Sequence, residues 1–246
     1  MTDPLRAELA GAPSADSPAV GAESMLRPLP WRLQDPPPLA LSPSAEPLLL
    51  LVDCRDPLPP VMGDGVLAIL SPAERERFHA FRRPDDRDRF LRGRVGLRLL
   101  LAAWHGCTAA AVVIEMGGHG KPFCPDGPQF NVSHSGDLIL LALHPHCRVG
   151  VDVEQLRPGL EWQPIAQRVL TEPQRQALNQ LPAAARPEGF LAQWCALEAE
   201  LKAAGSGLAG LECPRSGVQQ GWKPHLRRWR VRLPAGYQGA VVLKPL

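Results

Sequence analysis

The segment Val149-Gly150-Val151-Asp152-Val153-Glu154, read together with Trp194-Cys195-Ala196-Leu197-Glu198-Ala199-Glu200-Leu201-Lys202 further on, decides how this chain folds. The first reads as a buried strand. Side chains alternate across a strand, so Asp152 and Glu154 share one side while Val151 and Val153 take the other. The second reads as a helix, on which residues four apart are neighbours, so Glu198 stands beside Lys202. Three carboxylates and one ammonium on two rigid elements can form a hard-cation site beside an anion site. Mg²⁺ is commonly held by one or two carboxylates together with substrate phosphate oxygens, so the set suits phosphoryl chemistry. Two plainer readings stand beside this one. Asp152 and Glu154 can be a solvated strand face, and Glu198 with Lys202 an exposed ion pair worth about 0.3–0.5 kcal/mol. Against the first, 138–143 and 149–153 read as core strands, where a carboxylate needs a partner.

Upstream, Leu48-Leu49-Leu50-Leu51-Val52-Asp53 reads as the first buried strand. Ser71-Pro72-Ala73-Glu74 is a helix start, with serine as cap, proline at the first position and glutamate three after the cap. A longer helix is expected from Pro84 to His105, stopped by Gly106, with Phe90, Leu97, Leu101 and Trp104 near one stripe. Strands follow at 112–116, 130–133, 137–144 and 149–154. The second half repeats this order: a short helix at 162–170, another opened by the Thr171/Gln174 capping-box spacing, the helix bearing Glu198, then strands near 226–233 and 240–243. The pattern predicts an α+β protein of two related halves, with the crevice between them as the ligand site. Residues 1–47, rich in Pro, Ala, Ser and Gly and including Pro36-Pro37-Pro38, read as a flexible leader outside the core. The expected division is leader 1–47, first half 48–147, and second half 148–246 carrying the metal site.

The formal net charge of +2 over 246 residues gives no bulk attraction to nucleic acid or to a membrane surface. No run approaches the ~18 apolar residues of a membrane span. Met1-Thr2-Asp3-Pro4-Leu5-Arg6 lacks the basic-then-apolar pattern of a secretory signal, so a cytoplasmic location is expected. The six cysteines show no C-x-x-C pair and no zinc or disulfide framework. Of the 27 basic residues only Lys121, Lys202, Lys223 and Lys244 are lysines. A retained lysine suits a need for a compact point charge.

Four segments carry the chemistry together: Gly120-Lys121-Pro122-Phe123, Phe130-Asn131-Val132-Ser133-His134-Ser135-Gly136, Gly150 to Glu154, and Trp194 to Lys202. In this order and spacing they resemble the phosphopantetheinyl transferases of the surfactin-synthetase-activating type. The resemblance covers about Leu48 to the C-terminus. It implies two pseudo-symmetric α+β halves with coenzyme A, the co-substrate, between them. It also implies Mg²⁺-dependent transfer of 4′-phosphopantetheine to a serine of an apo acyl or peptidyl carrier protein, with adenosine 3′,5′-bisphosphate leaving, by a monomer. By position it makes Asp152, Glu154 and Glu198 the metal ligands, Glu198 also the base for the carrier serine, and Lys202 the lysine near the pyrophosphate. Lys121, Pro122, Ser133 and His134 match coenzyme-binding positions, and Arg77 falls where the family has a basic residue for the nucleotide 3′-phosphate. One departure is plain: the family's lysine before the helix glutamate is here Leu197. That departure keeps open a homologue that binds carrier protein or coenzyme A without turnover. A nucleotide hydrolase is the other alternative, disfavoured because no G-x-x-x-x-G-K-[ST] loop is present.

Overall fold

The computed structural model describes residues 24–39, 46–58, 63–118, 120–205 and 225–246. Two four-stranded sheets carry the fold. One has the order β2 (Leu29–Pro30), β3 (Leu48–Asp53), β7 (Leu138–His144), β6 (Gln129–Ser135). The other runs β1 (Ser24–Leu26), β9 (Arg227–Val231), β10 (Tyr237–Pro245), β8 (Cys147–Gln155). Strand alternation sorts their side chains into layers. Leu49, Leu140, Ala142, Val149, Val151, Val153, Trp229, Val231, Val241 and Leu243 form one cluster between the sheets. The alternate residues Leu50, Val52, Ile139, Leu141 and Leu143 face outward and meet α3 (Pro84–His105). On the far side, Ala240 and Val242 meet Cys195, Ala199 and Ala203 of α6 (Arg186–Ala204). The result is four layers, helix–sheet–sheet–helix, a mixed α+β architecture. Among the described residues no helix is long and apolar enough to cross a membrane.

The helices repeat their order. Short α1 (Gly63–Ile69) and α2 (Pro72–Ala80) precede α3, and short α4 (Trp162–Val169) and α5 (Glu172–Gln180) precede α6. Both expected capping boxes form, Ser71 with Glu74 and Thr171 with Gln174. Gly106 ends α3 at φ 63°, a left-handed turn that glycine adopts without steric cost. Buried Arg98 donates to Glu74 Oε2 at 2.7 Å and to the carbonyls of Ala109 and Val112, which pins α2 to α3. Trp194 packs on Phe190 of its own helix, and Phe190 on Trp162. In the expected strand at 112–116, only β4 (Glu115–Met116) is extended; it pairs with β5 (Pro122–Phe123), and a 3₁₀ turn occupies Ala109–Ala111.

The leader needs correction. Residues 1–23 and 40–45 lie outside the described residues, but 24–39 belong to the body. β1 pairs in parallel with β9, and β2 with β3, so one short stretch supplies an edge strand to each sheet. Trp31 and Leu33 are 4% and 6% exposed in the core beneath α3. Pro30 is tolerated because β2 is an edge strand, where a missing N–H breaks no inner ladder. Composition hid this, because two edge strands need few residues and only a few apolar anchors.

The sheets also meet along β6 and β8, not backbone to backbone but through side chains. The N–H groups of Val151, Val153 and Gln155 donate to Asn131 Oδ1, Ser133 Oγ and Ser135 Oγ at 2.8, 3.4 and 3.1 Å. These side chains satisfy the outward edge of β8, which otherwise leaves buried donors unpaired.

Gly150 sets how closely α6 approaches β8. A Cβ there would lie 2.0 Å from the carbonyl oxygen of Ala199 and 2.4 Å from the nitrogen of Ala203, both helix backbone. Gly150→Ala must therefore lift α6 off the sheet. Overpacking of this kind costs about 1–3 kcal/mol, or roughly 2–12 °C of melting temperature for a chain this size. An unchanged thermal melt would show that the helix is not seated on this strand.

Candidate active site

The site assembles where β6, β8 and α6 meet. Asp152 and Glu154 lie on the α6 side of β8, and one turn of α6 separates Glu198 from Lys202. Lys202 Nζ stands 2.5 Å from Asp152 Oδ1 and 3.2 Å from Ser133 Oγ, and Ser133 Oγ donates to the same Asp152 oxygen at 2.9 Å. Ser135 Oγ donates to Glu154 Oε2 at 2.8 Å. Burial raises the pKa of Glu154, Ser135 opposes that rise, and the charge of Asp152 adds to it. Glu198 is raised too, first by burial; Lys202 lowers it, and Asp152 and Glu154 raise it. These are carboxylates close enough to repel one another. Behind them, the fully buried Cys195 thiol points to the Gln238 carbonyl at 3.4 Å, and desolvation with the neighbouring Asp152 holds it protonated.

Asp152 Oδ2 and Glu198 Oε1 are buried and lack any hydrogen-bond partner among the described residues. Buried carboxylate oxygens without donors are costly. Among the described residues no three His, Cys, Asp or Glu side chains form a metal cage by themselves. The orphaned oxygens fit a hard cation that completes its shell with phosphate oxygens or water. The donor set is all oxygen, which suits Mg²⁺ and not a thiophilic ion.

Lys121 reaches the site from behind. The β4–β5 hairpin turns through Gly120 at φ 76°, and Lys121 Nζ donates to the carbonyls of Val149 (2.8 Å) and Lys202 (2.7 Å). It thus ties the hairpin to both β8 and the last turn of α6. Burial, helped by Arg148, lowers its pKa to about 8. A neutral amine still has two N–H donors, enough for both carbonyls, so deprotonation breaks neither bond. With Pro122, Phe123, Arg148 and Gly205, Lys121 lines a cavity of about 270 Å³.

Of the residues singled out from sequence, the structure brings Asp152, Glu154, Ser133, Glu198 and Lys202 together, with Lys121 and Pro122 alongside. His134 is exposed on the opposite side of β6 from Ser133, and desolvation of its ring together with Arg89 lowers its pKa. Arg77 does not join the group: its guanidinium lies over the Phe90 ring at 5.7 Å, and Arg94 lies 5.6 Å from that ring. Ser133 has little hydroxyl left for a ligand. It accepts from Val153 and Lys202 and donates to Asp152, which uses its one proton and two lone pairs. Leu197 is half-buried and lines a separate groove with Gly189, Ala196, Trp229 and Val241. At 100° per residue it faces away from the stripe holding Cys195, Glu198 and Lys202. Sequence reading passed over Asn131 and Ser135, although their two-residue spacing around Ser133 was the available signal.

Two family models match successive stretches of the chain. The model of the 4′-phosphopantetheinyl transferase superfamily matches residues 148–232, and that of the 4′-phosphopantetheinyl transferase N-terminal region matches 63–146. A Synechocystis sp. protein provisionally named a 4′-phosphopantetheinyl transferase is 36% identical over 150 residues, 59% of this chain and 61% of the relative. HetI of Nostoc sp., also named a 4′-phosphopantetheinyl transferase, is 35% identical over 150 residues, 59% of this chain and 63% of its own. AcpT of Escherichia coli K12 is 34% identical over 121 residues, 48% of this chain and 58% of its own. The chain therefore spans less than two thirds of the length of these relatives. The two matched stretches carry α1 to α6 and all of the carboxylates described above, and the chain belongs to the 4′-phosphopantetheinyl transferase superfamily.

Proposed function

We propose that this protein is an Mg²⁺-dependent 4′-phosphopantetheinyl transferase of the surfactin-synthetase-activating type. In this reading coenzyme A lies between two pseudo-symmetric halves, and an apo acyl or peptidyl carrier protein supplies the acceptor serine. The observation that carries the reading is the convergence of Asp152, Glu154, Glu198 and Lys202, with buried oxygens of Asp152 and Glu198 left without donors. Asp152, Glu154 and Glu198 would hold the metal, which when bound neutralises pyrophosphate charge.

The chain's own groups divide the remaining work. Glu198, its pKa raised by burial and by neighbouring carboxylates, is a stronger base than an exposed glutamate and takes the proton of the carrier serine. The serine oxygen then bonds to the phosphorus of the pantetheine phosphate as the bond to adenosine 3′,5′-bisphosphate breaks. Lys202, fixed by Asp152 and Ser133, stabilises charge on the departing phosphate. Adenosine 3′,5′-bisphosphate should be released, as followed by chromatography, only when coenzyme A, Mg²⁺ and an apo carrier are all present. Release without the carrier would favour a hydrolase. Binding without release would favour the non-catalytic homologue.

Lys121 gives a pH signature. If its ammonium attracts coenzyme phosphate in the cavity it lines, affinity is full below about 8, where the lysine is charged, and declines as pH rises through that value. The apparent Michaelis constant for coenzyme A should rise above that pH in the natural protein. It should stay flat in Lys121→Arg, whose guanidinium does not titrate there. Equal profiles would remove Lys121 from coenzyme binding. Leu197→Lys should leave the coenzyme Michaelis constant within about twofold, because its side chain faces the separate groove and a partly exposed charge contributes little. A salt-sensitive tightening would place that position in the coenzyme site.

A further inference from the structure

We propose that Ser135 is a positioning residue that fixes the Glu154 carboxylate for metal binding, with its hydroxyl aimed by the backbone of Gln155. This rests on the reading of Asp152, Glu154 and Glu198 as the metal site. A serine hydroxyl has one proton and two lone pairs. The N–H of Gln155 takes one lone pair of Ser135 Oγ at 3.1 Å, and the proton goes to Glu154 Oε2 at 2.8 Å. Both groups that aim the hydroxyl belong to β8, so Ser135 reads the strand's backbone and sets the strand's side chain.

The same construction appears one pleat earlier, where Ser133 accepts from Val153 and donates to Asp152. A third rung lacks the carboxylate. Asn131 accepts from Val151, but the preceding residue of β8 is Gly150, which offers no side chain. The motif Asn-x-Ser-x-Ser on β6 therefore lies against Gly-x-Asp-x-Glu on β8. Hydroxyls stand where there is a carboxylate to orient, and an amide where there is only a backbone donor. A seam needed only to join the sheets would make no such distinction. Glutamate has rotamer freedom to lose on binding, and a hydrogen bond made beforehand removes part of that cost. Removing a group that orients a metal ligand typically costs about 10–100-fold in metal affinity.

Asn131 supplies the control. Asn131→Ala breaks one seam bond but touches no carboxylate, whereas Ser135→Ala breaks one seam bond and frees Glu154. Mn²⁺, a paramagnetic stand-in for Mg²⁺, can be titrated into the full chain without coenzyme or carrier and followed by the electron-paramagnetic signal of the free ion. Both alanine variants should melt lower than the natural protein. Only Ser135→Ala should lose Mn²⁺ affinity, by about 10–100-fold, and Ser135→Thr, which keeps the hydroxyl, should recover most of it. Equal Mn²⁺ affinity in Ser135→Ala and the natural protein would overturn the positioning role and leave the metal site standing. Equal losses in Asn131→Ala and Ser135→Ala would reduce Ser135 to a seam contact. Absence of Mn²⁺ binding in the natural protein would overturn the metal reading itself, and this inference with it.

Discussion

A chain that starts at Pro47 should fail to fold cooperatively. Removing residues 1–46 strips an edge strand from each sheet and takes Trp31 and Leu33 out of the core beneath α3. Losing a buried tryptophan alone costs about 3–5 kcal/mol, and losing a buried leucine about 2–5. Together these approach the roughly 5–15 kcal/mol that holds an ordinary domain folded. Trp31→Ala in the full chain separates packing from strand pairing and should lower the melting temperature by roughly 6–20 °C. A truncated chain that melts sharply at the natural temperature would show that residues 24–39 only rest against the body.

Asp152→Asn should cost at least about a hundredfold in transfer while leaving the melt nearly unchanged. Removing a group that merely orients a metal ligand already costs up to that much, and Asp152 is itself the proposed ligand. The substitution preserves shape, and an amide oxygen can still accept from Ser133 and Lys202 where Oδ1 now does. It also removes one of three mutually repelling carboxylates, so no stability should be lost on that account. Turnover and a thermal melt on the same sample decide the matter. Activity within a few-fold of the natural protein would remove Asp152 from the metal site. A collapse of the melt would mean that the residue serves the fold first.

The parts legible in sequence were those written in local periodicity. Alternation put Asp152 and Glu154 on one side of β8, helical spacing brought Glu198 to Lys202, and caps at Ser71, Thr171 and Gly106 marked real helix ends. What escaped depends on contacts between distant segments. The edge strands at 24–30 are three and two residues long, too short for a two-residue alternation to show. The setting of Arg77 is of this kind: its guanidinium lies over the Phe90 ring of α3, which its arginine-rich local sequence does not show. The engagement of the Ser133 hydroxyl with β8 and Lys202 is likewise invisible in its local sequence. Such roles follow from which strand edge β6 meets, and only the tertiary fold decides that.

The most direct test of the central claim is the intact mass of a carrier protein. The natural chain, coenzyme A, Mg²⁺ and an apo acyl or peptidyl carrier are incubated together and the carrier is weighed by mass spectrometry. The account predicts a gain of one 4′-phosphopantetheine on the carrier, lost when its acceptor serine is replaced by alanine, when Mg²⁺ is chelated, or with Asp152→Asn. An unchanged mass across a panel of fatty-acid, polyketide and peptide-synthetase carriers, from a protein that is folded and binds coenzyme A, would contradict it.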